Sequence, residues 1–348
     1  MSTTTAPKAD ERLASGNWFT KFFTKPEAGA TAAALVLFVM FAVVAPQFTQ
    51  PSSLATTLYG ASTVGIMALG VSLLMIGGEF DLSTGVGVIS SALAASLFVY
   101  WFGTNVWVGV IVGLVFSLAV GFINGWLLIK TKLASFIVTL ATFFMLTGLN
   151  LGVTRMITGG VASPSIAQWP GFESAAAVFA SDIPVFGVRI KITVLYWILL
   201  VIVATWILRR TKVGNWIYAS GGAPDAARAV GVPVARTKIG LYMGVGFCAW
   251  LLGMHNLFAF KTVQSGEGIG NEFLYIIAAV VGGCLLTGGY GSAIGGAIGA
   301  LIYGMALKGV VYAEWNPDWL RFFLGAMLLG ATVLNFWLQR RAAKGGRK

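Results

Sequence analysis

About ten apolar segments, each of roughly the 20 residues that a helix needs to cross a lipid bilayer, follow one another along this chain. Backbone groups in such segments cannot bond to water, and an α-helix satisfies them internally. The pattern therefore predicts an all-α polytopic membrane protein with about ten transmembrane helices. The predicted spans are 29–47, 58–78, 82–102, 106–129, 133–153, 192–208, 239–260, 273–288, 292–309 and 320–338.

The composition agrees with a chain whose main solvent is lipid. Hydrophobic residues make up 57% of the sequence and charged residues only 10%, with a mean hydropathy of +0.84. Soluble domains carry roughly 25% charged residues. A soluble enzyme or nucleic-acid-binding domain is therefore excluded, although the net charge is +11.

The positions of the basic residues predict the orientation. Most lysines and arginines lie in an N-terminal segment 1–28, in a central loop 209–238 and in a basic tail 339–348. Cytoplasmic segments are enriched in these residues. We therefore expect both termini and the central loop to be cytoplasmic, with a transmembrane domain at 29–338 and an extracytoplasmic loop at 154–191.

The central loop contains the pattern of a short helix. Pro224 suits a first helical position, Asp225 suits the first turn, and Gly231 followed by Pro233 stops the helix. A helix of two turns is marginal alone in water, which favours docking into a groove on a partner. The alternative is a surface helix that only links two spans.

The sequence contains no established catalytic or metal-binding motif, so we expect no catalytic residues and no metal site. The nucleotide-binding loop GxxxxGK[ST], HExxH, CxxC and GxSxG are all absent. His255 is the only histidine and is predicted to form a hydrogen bond between helices. Cys248 and Cys284 both lie in apolar segments and indicate no disulfide framework.

The polar run GGEFDLS at Gly77–Ser83 interrupts two apolar segments. Glu79 and Asp81 lie in this run and could face the substrate path, since acids inside a membrane are usually functional. The order Asp-Leu-Ser also suits a cap for the next helix, and we favour the capping interpretation over direct contact with a substrate. Candidate residues of a translocation path are Glu79, Asp81, Ser83, Asn124 and Asn150.

Glycine is abundant, with 45 residues, and small residues recur at every fourth position in 109–125, where Ser117 replaces one glycine, and in 291–299. Such ridges predict close helix packing. Segments 73–93 and 284–304 also resemble each other, since both place a Gly pair before a helix rich in small residues. Either an internal repeat, as in many transporters, or a coincidence of glycine-rich packing explains this match.

Four stretches of the chain resemble the inner-membrane permeases of ribose-type and other simple-sugar ABC importers. They are GIMALGVSLLMIGGEFDLSTG (65–85), LASFIVTLATFFMLTGL (133–149), NWIYASGGAPDAARAVGVPVARTKIGLY (215–242) and IIAAVVGGCLLTGGYGSAIGGAIGALIYG (276–304). The chain departs from the family at Glu79 and Phe80, where members commonly have an aliphatic residue, and at Phe273 and Leu274, where they have Leu-Asp.

The resemblance implies a bacterial inner-membrane transport subunit, not an enzyme. Its expected partners are ABC ATPase subunits, a periplasmic sugar-binding protein, membrane lipid and a second permease copy, either identical or a close paralogue. ATP and Mg²⁺ would bind to the ATPase, so no cofactor is expected in this chain. The family's coupling helix maps onto Gly222, Ala223, Pro224, Asp225, Ala226, Ala227, Arg228 and Gly231.

In this assignment Asp225 and Arg228 would make polar contacts, and Ala226 and Ala227 would occupy the groove of the ATPase. The sequence does not distinguish among pentose, hexose, polyol and nucleoside substrates. A competing hypothesis is a secondary transporter or channel driven by an ion gradient, for which Glu79, Asp81 and His255 are the available ionisable groups.

Overall fold

A computed structural model describes residues 27–185, 187–330 and 333 of the chain. The helices are α1 (Ala28–Val44), α2 (Pro51–Ile76), α3 (Thr84–Phe102), α4 (Val106–Thr131), α5 (Ser135–Thr158), α6 (Phe172–Phe179), α7 (Ile192–Arg210), α8 (Lys212–Gly222), α9 (Pro224–Ala229), α10 (Val234–Phe260), α11 (Asn271–Val281) and α12 (Ala293–Tyr312). Strands β1 (Asp182–Val185) and β2 (Val188–Lys191) form an antiparallel hairpin. Residues 320–330 are also helical. Most of the predicted N-terminal segment, the end of the last predicted span and the basic tail lie outside the described residues.

Seven of these helices are long and apolar enough to cross a membrane, namely α2, α3, α4, α5, α7, α10 and α12. The most apolar window of α2 is 78% buried within the protein, whereas those of α5 and α7 are 28% buried. The main hydrophobic core thus surrounds α2, α3 and α10, and a second core joins α1, α11 and α12. An all-α polytopic membrane fold is the result.

The predicted span at 273–288 is wrong as a continuous helix. Helix α11 has 11 residues, too few to cross, and Gly282–Ser292 after it is irregular. Before α11, Gly268 packs against the backbone of Gly85 and the side chain of Ile89 in α3. The segment 261–270 therefore turns back into the helix bundle, and α11 begins inside the protein.

The two glycine-rich breaks end their helices by the same hydrogen-bond pattern. In each break the amide of the first glycine, Gly77 or Gly282, donates to the carbonyl four residues earlier, and the amide of the second, Gly78 or Gly283, donates to the carbonyl three residues earlier. The amide of the residue after the pair donates to the carbonyl five residues earlier. The second glycine of each pair has a positive φ, 80° at Gly78 and 95° at Gly283. The two segments are therefore similar in structure. In the structure Gly77–Gly78 corresponds to Gly282–Gly283, whereas the sequence match paired Gly77–Gly78 with Gly288–Gly289.

The glycine ridge of α4 is a packing surface, as predicted. A side chain at Gly113 would lie 2.8 Å from the carbonyl oxygen of Ser91 in α3, and Gly121 is in backbone contact with Tyr242 of α10. Only glycine allows helices to approach this closely. The ridge thus holds α3, α4 and α10 together.

The loop predicted at 154–191 is an ordered cap and not a passive connection. Helix α5 extends to Thr158, and amides of Ser163 and Ile166 donate to the carbonyls of Val263 and Lys261 over 2.9 and 3.0 Å. In α6, Phe179 stacks on Phe258 of α10 with 5.6 Å between ring centroids. This cap therefore covers the C-terminal end of α10.

Three glycines form a contact that we call the glycine junction: Gly78 after α2, Gly221 in α8 and Gly288 before α12. A Cβ on Gly288 would lie 2.9 Å from the Gly221 carbonyl oxygen, and one on Gly78 would lie 2.9 Å from the Gly221 Cα. Nearby, the Gly289 amide donates to the Ile76 carbonyl over 2.8 Å. The central loop is thereby joined to both helix breaks through backbone contact.

We expect Gly221→Ala to destabilise the protein, since the new methyl group would collide with the Ile76 carbonyl oxygen. Overpacking of this kind costs about 1–3 kcal/mol. The measurement is the thermal unfolding midpoint in detergent, followed by size-exclusion chromatography. The matched control is Gly222→Ala, where the nearest atom is 3.8 Å away; equal midpoints for both variants would contradict the proposed close contact.

Candidate functional site

Helix α9 projects from the central loop as a short exposed element. Ala223 precedes it, Pro224 occupies its first turn, and Gly231, with a φ of 86°, turns the chain after it. The side chains of Asp225 and Arg228 are 92% and 57% exposed and form an ion pair with each other. The sequence prediction of a short helix between Gly222 and Gly231 matches this geometry.

One residue of the predicted groove contact faces the protein itself. Ala227 is only 4% exposed, whereas Ala226 is exposed. Sequence reasoning did not select Val230, an apolar side chain that is 80% exposed directly after α9. Asp225, Ala226, Arg228 and Val230 are therefore exposed, whereas Ala227 is buried against the chain.

A cluster of charged and polar groups ties the base of this loop to two other helices. Arg209, at the end of α7, forms an ion pair with Glu27 over 2.8 Å. Ser292 donates to the same carboxylate over 3.1 Å and caps α12 through the Gly295 amide. Sequence reasoning missed this cluster, because nothing in the local pattern links an acid before the first span to a serine before α12.

The break Gly77–Ser83 is held by side chains of α5 and α10. The Phe80 and Leu82 amides donate to Ser135 and Thr139 Oγ atoms over 3.2 and 3.1 Å. Tyr242 donates to the Phe80 carbonyl over 2.9 Å. Backbone groups that lack a helical partner are satisfied in this way, so the break is a built feature of the fold.

Glu79 does not face an open path. Its carboxylate forms an ion pair with Lys238 of α10, and both side chains are only 10% exposed. The pair connects the α2–α3 break with the first turns of α10, at the end of the central loop. Glu79 is therefore assigned to holding these elements together.

Asp81 is buried and joins a polar chain that crosses three helices. Its Oδ1 accepts from the Ser83 amide over 2.8 Å and from the Ser83 hydroxyl over 2.6 Å. Both bonds stay within the loop before α3, and Ser83 at the N-cap forms no side-chain hydrogen bond to that helix, so the predicted cap is wrong. Asn124 of α4 donates to Ser83 Oγ over 3.2 Å, and Thr142 of α5 donates to Asn124 Oδ1 over 2.6 Å. Burial raises the pKa of the Asp81 carboxyl to about 6, and hydrogen bonds from Ser83 and Asn124 lower it.

The structure brings together three of the five candidate path residues and separates two. Asp81, Ser83 and Asn124 form one cluster, and Glu79 points to α10 instead. Asn150 of α5 lies in a different, apolar cleft with Leu93 and Met156. Its amide nitrogen has no hydrogen-bond partner among the described residues. Within those residues, no group of His, Cys, Asp and Glu side chains could hold a metal ion.

His255 bonds to two elements at the other end of the bundle. Its Nδ1 lies 2.8 Å from the Phe179 carbonyl of α6 and its Nε2 lies 3.0 Å from the Tyr59 hydroxyl of α2. A hydrogen bond between helices is what the sequence predicted for this residue. Because a carbonyl only accepts, Nδ1 carries the proton and Tyr59 donates to Nε2.

The comparisons with known proteins define the class. Residues 53–332 match the family described as branched-chain amino acid transport system, permease component. The chain belongs to this family of permease components of ABC transporters, so it is a multi-pass membrane transport subunit and not an enzyme.

Among curated relatives, the chain is 33% identical to the ribose import permease protein RbsC of Escherichia coli (strain K12), over 83% of this chain and 88% of the relative. It is 30% identical to the ribose import permease protein RbsC of Bacillus subtilis (strain 168), over 86% of this chain and 89% of the relative. With the fructose import permease protein FrcC of Rhizobium meliloti it shares 29% identity, over 89% of this chain and 84% of the relative. No solved structure matches the chain significantly.

We expect Lys238→Met to destabilise the protein by about 3–5 kcal/mol, because it leaves the Glu79 carboxylate buried without a partner. The double variant Glu79→Gln with Lys238→Met should regain much of this loss, because no unpaired charge remains. The measurement is the thermal midpoint of the single and double variants. Additive losses in the double variant would show that the pair is not coupled.

Proposed function

We propose that this chain is the membrane-spanning permease subunit of an ATP-driven importer in a bacterial inner membrane. It would translocate a simple sugar or related polyol delivered by a periplasmic binding protein. The observation that carries this proposal is the similarity to ribose and fructose import permease proteins across more than 80% of the chain. ATP and Mg²⁺ bind to separate ATPase subunits in this proposal.

We further propose ten membrane crossings with both termini in the cytoplasm. Seven long helices support this count, together with α1, the α11 segment and the helix at 320–330. The basic central loop and the basic C-terminal tail support the orientation. A second permease copy completes the transporter, either identical or a close paralogue.

Helix α9 is the proposed contact with the ATPase. Its exposed Asp225, Arg228 and Val230 offer charged and apolar contacts. Helix α8, which directly precedes α9, is fixed through Gly221 of the glycine junction, and Arg209 at the start of the central loop is fixed by its ion pair with Glu27. A rigid displacement of α9 would therefore reach α2 and α12, whose relative movement opens the permease to one side or the other.

An ion-coupled secondary transporter is less well supported. Such a transporter needs a relay of ionisable groups. Glu79 is already paired with Lys238, and both ring nitrogens of His255 are occupied by Phe179 and Tyr59. Two other buried acids are held by hydrogen bonds: Asp81 accepts from Ser83, and the Glu272 carboxylate accepts from the Gly270 amide.

Arg228→Glu should abolish uptake while membrane insertion stays normal, since it reverses the charge of an exposed α9 residue. Lys212→Glu is the matched control, because Lys212 is an exposed cation of the same loop outside α9. Radiolabelled sugar uptake and the amount of inserted protein are measured in parallel. Normal uptake by Arg228→Glu would remove α9 from the coupling role.

Cysteine labelling tests the orientation. Cys248 and Cys284 are buried, so they should give little background with membrane-impermeant maleimide. Val230→Cys should react only in inside-out vesicles, whereas Glu173→Cys in α6 should react in intact spheroplasts. The opposite pattern would invert the proposed topology.

The experiment that tests the whole proposal is co-purification with the candidate ATPase. Hydrolysis should rise when a sugar-loaded binding protein is added, and Arg228→Glu should prevent this stimulation. Uptake into liposomes that contain this chain alone would support the ion-coupled transporter instead.

A further inference from the structure

One cleft differs in chemistry from the other large clefts of the described chain. It has a volume of about 330 Å³, within the range for small-molecule sites, and lies among α2, α10, α11 and α12. Polar side chains make up much of its lining: Tyr59, Tyr275, Tyr303, Asn256, Asn271 and Lys308. The clefts beside α7 and beside α5 are almost wholly apolar.

The cleft lies at the opposite end of the bundle from α9, the proposed contact with the ATPase. Tyr59 precedes Ile76, at the cytoplasmic end of α2, by 17 positions, or about 25 Å along the helix. Asn256 and Lys308 lie near the C-terminal ends of α10 and α12. In the proposed orientation, a substrate that enters from outside meets this cleft first.

Most polar groups of the cleft have no partner in the protein. The hydroxyls of Tyr275 and Tyr303, and the amides of Asn256 and Asn271, form no hydrogen bond with the described residues. Tyr275 is only 4% exposed and is one of the residues that line the cleft. Buried polar groups are normally hydrogen-bonded, so these groups are available to a molecule in the cleft.

The hydrogen bond to His255 orients one further group. Tyr59 donates its proton to Nε2 of His255 over 3.0 Å, so the lone pairs of its oxygen stay available as acceptors. Each amide offers both donors and acceptors, and Lys308 adds a donor at the edge. No carboxylate lines the cleft in the described part of the chain.

We propose that this cleft binds a neutral polyhydroxyl molecule, a monosaccharide or polyol, during its passage. The hydroxyl groups of such a molecule both donate and accept, and so match the mixed amide and phenol groups. Its C–H faces pack against the tyrosine rings and against Val64 and Leu252. This assignment rests on the proposed function and names the contact residues that the sequence did not supply.

The test uses the complete transporter in proteoliposomes, with ATPase and binding protein. Radiolabelled ribose and fructose are the probes, and the measured quantity is sugar moved per ATP hydrolysed. Tyr303→Phe and Asn256→Leu should each lower this ratio roughly two- to tenfold, the effect of one lost hydrogen bond. Their thermal midpoints should not fall, because neither side chain bonds to the protein.

Thr205→Val is the matched control, since the Thr205 hydroxyl also has no partner among the described residues but lies on α7, outside the lining of this cleft. Its ratio should equal that of the wild type. If wild-type transporter moves sugar and the Tyr303 and Asn256 variants do so equally well, the cleft assignment is overturned and the proposed function stands. If wild-type transporter moves neither sugar in an ATP-dependent manner, the proposed function fails and this assignment fails with it.

Discussion

Backbone contact at the glycine junction is the constraint on which the rest of the structure depends. Gly78, Gly221 and Gly288 come from three separate parts of the sequence and meet without side chains between them. Because no rotamer can adjust at such a contact, the three segments keep a fixed spacing. The central loop is therefore part of the helix bundle and not a flexible connection, although it lies outside the apolar spans.

Two ion pairs reinforce this arrangement. Glu79 pairs with Lys238 beside the α2–α3 break, and Glu27 pairs with Arg209 beside the start of α12. Glu79, Lys238 and Glu27 are largely buried, whereas the Arg209 side chain is 51% exposed. An unpaired charge at the buried positions would be costly, so the pairs favour one arrangement of their helices over others. Both pairs flank the glycine junction. The glycine junction and both ion pairs thus lie at the end of the bundle that carries the central loop, while the polar cleft at the other end keeps free hydrogen-bonding groups.

Much of the fold follows from the sequence, because apolar length and glycine spacing are local signals. The long spans, the α4 ridge and the short helix after Pro224 are of this kind, and the structure contains all three. Helix α11 is the exception. A run of apolar residues cannot distinguish a full span from a half-helix with an irregular continuation, since both must be hydrophobic to lie inside the bundle.

The site was less predictable, because its contacts join residues far apart in sequence. The hydrogen bonds between Asp81 and Ser83 join residues two positions apart, whereas the link from Ser83 to Asn124 depends on how α3 and α4 pack. Likewise, the inward orientation of Ala227 and the exposure of Val230 depend on how α9 lies against the loop. The polar cleft combines four helices, and no single segment carries a motif for it.

The ion pair between Glu79 and Lys238 also has an evolutionary consequence. A single substitution at either position leaves a buried charge alone, so lineages that lose one residue are expected to lose the other soon afterwards. The two positions should therefore be inherited as a unit, both charged or both neutral.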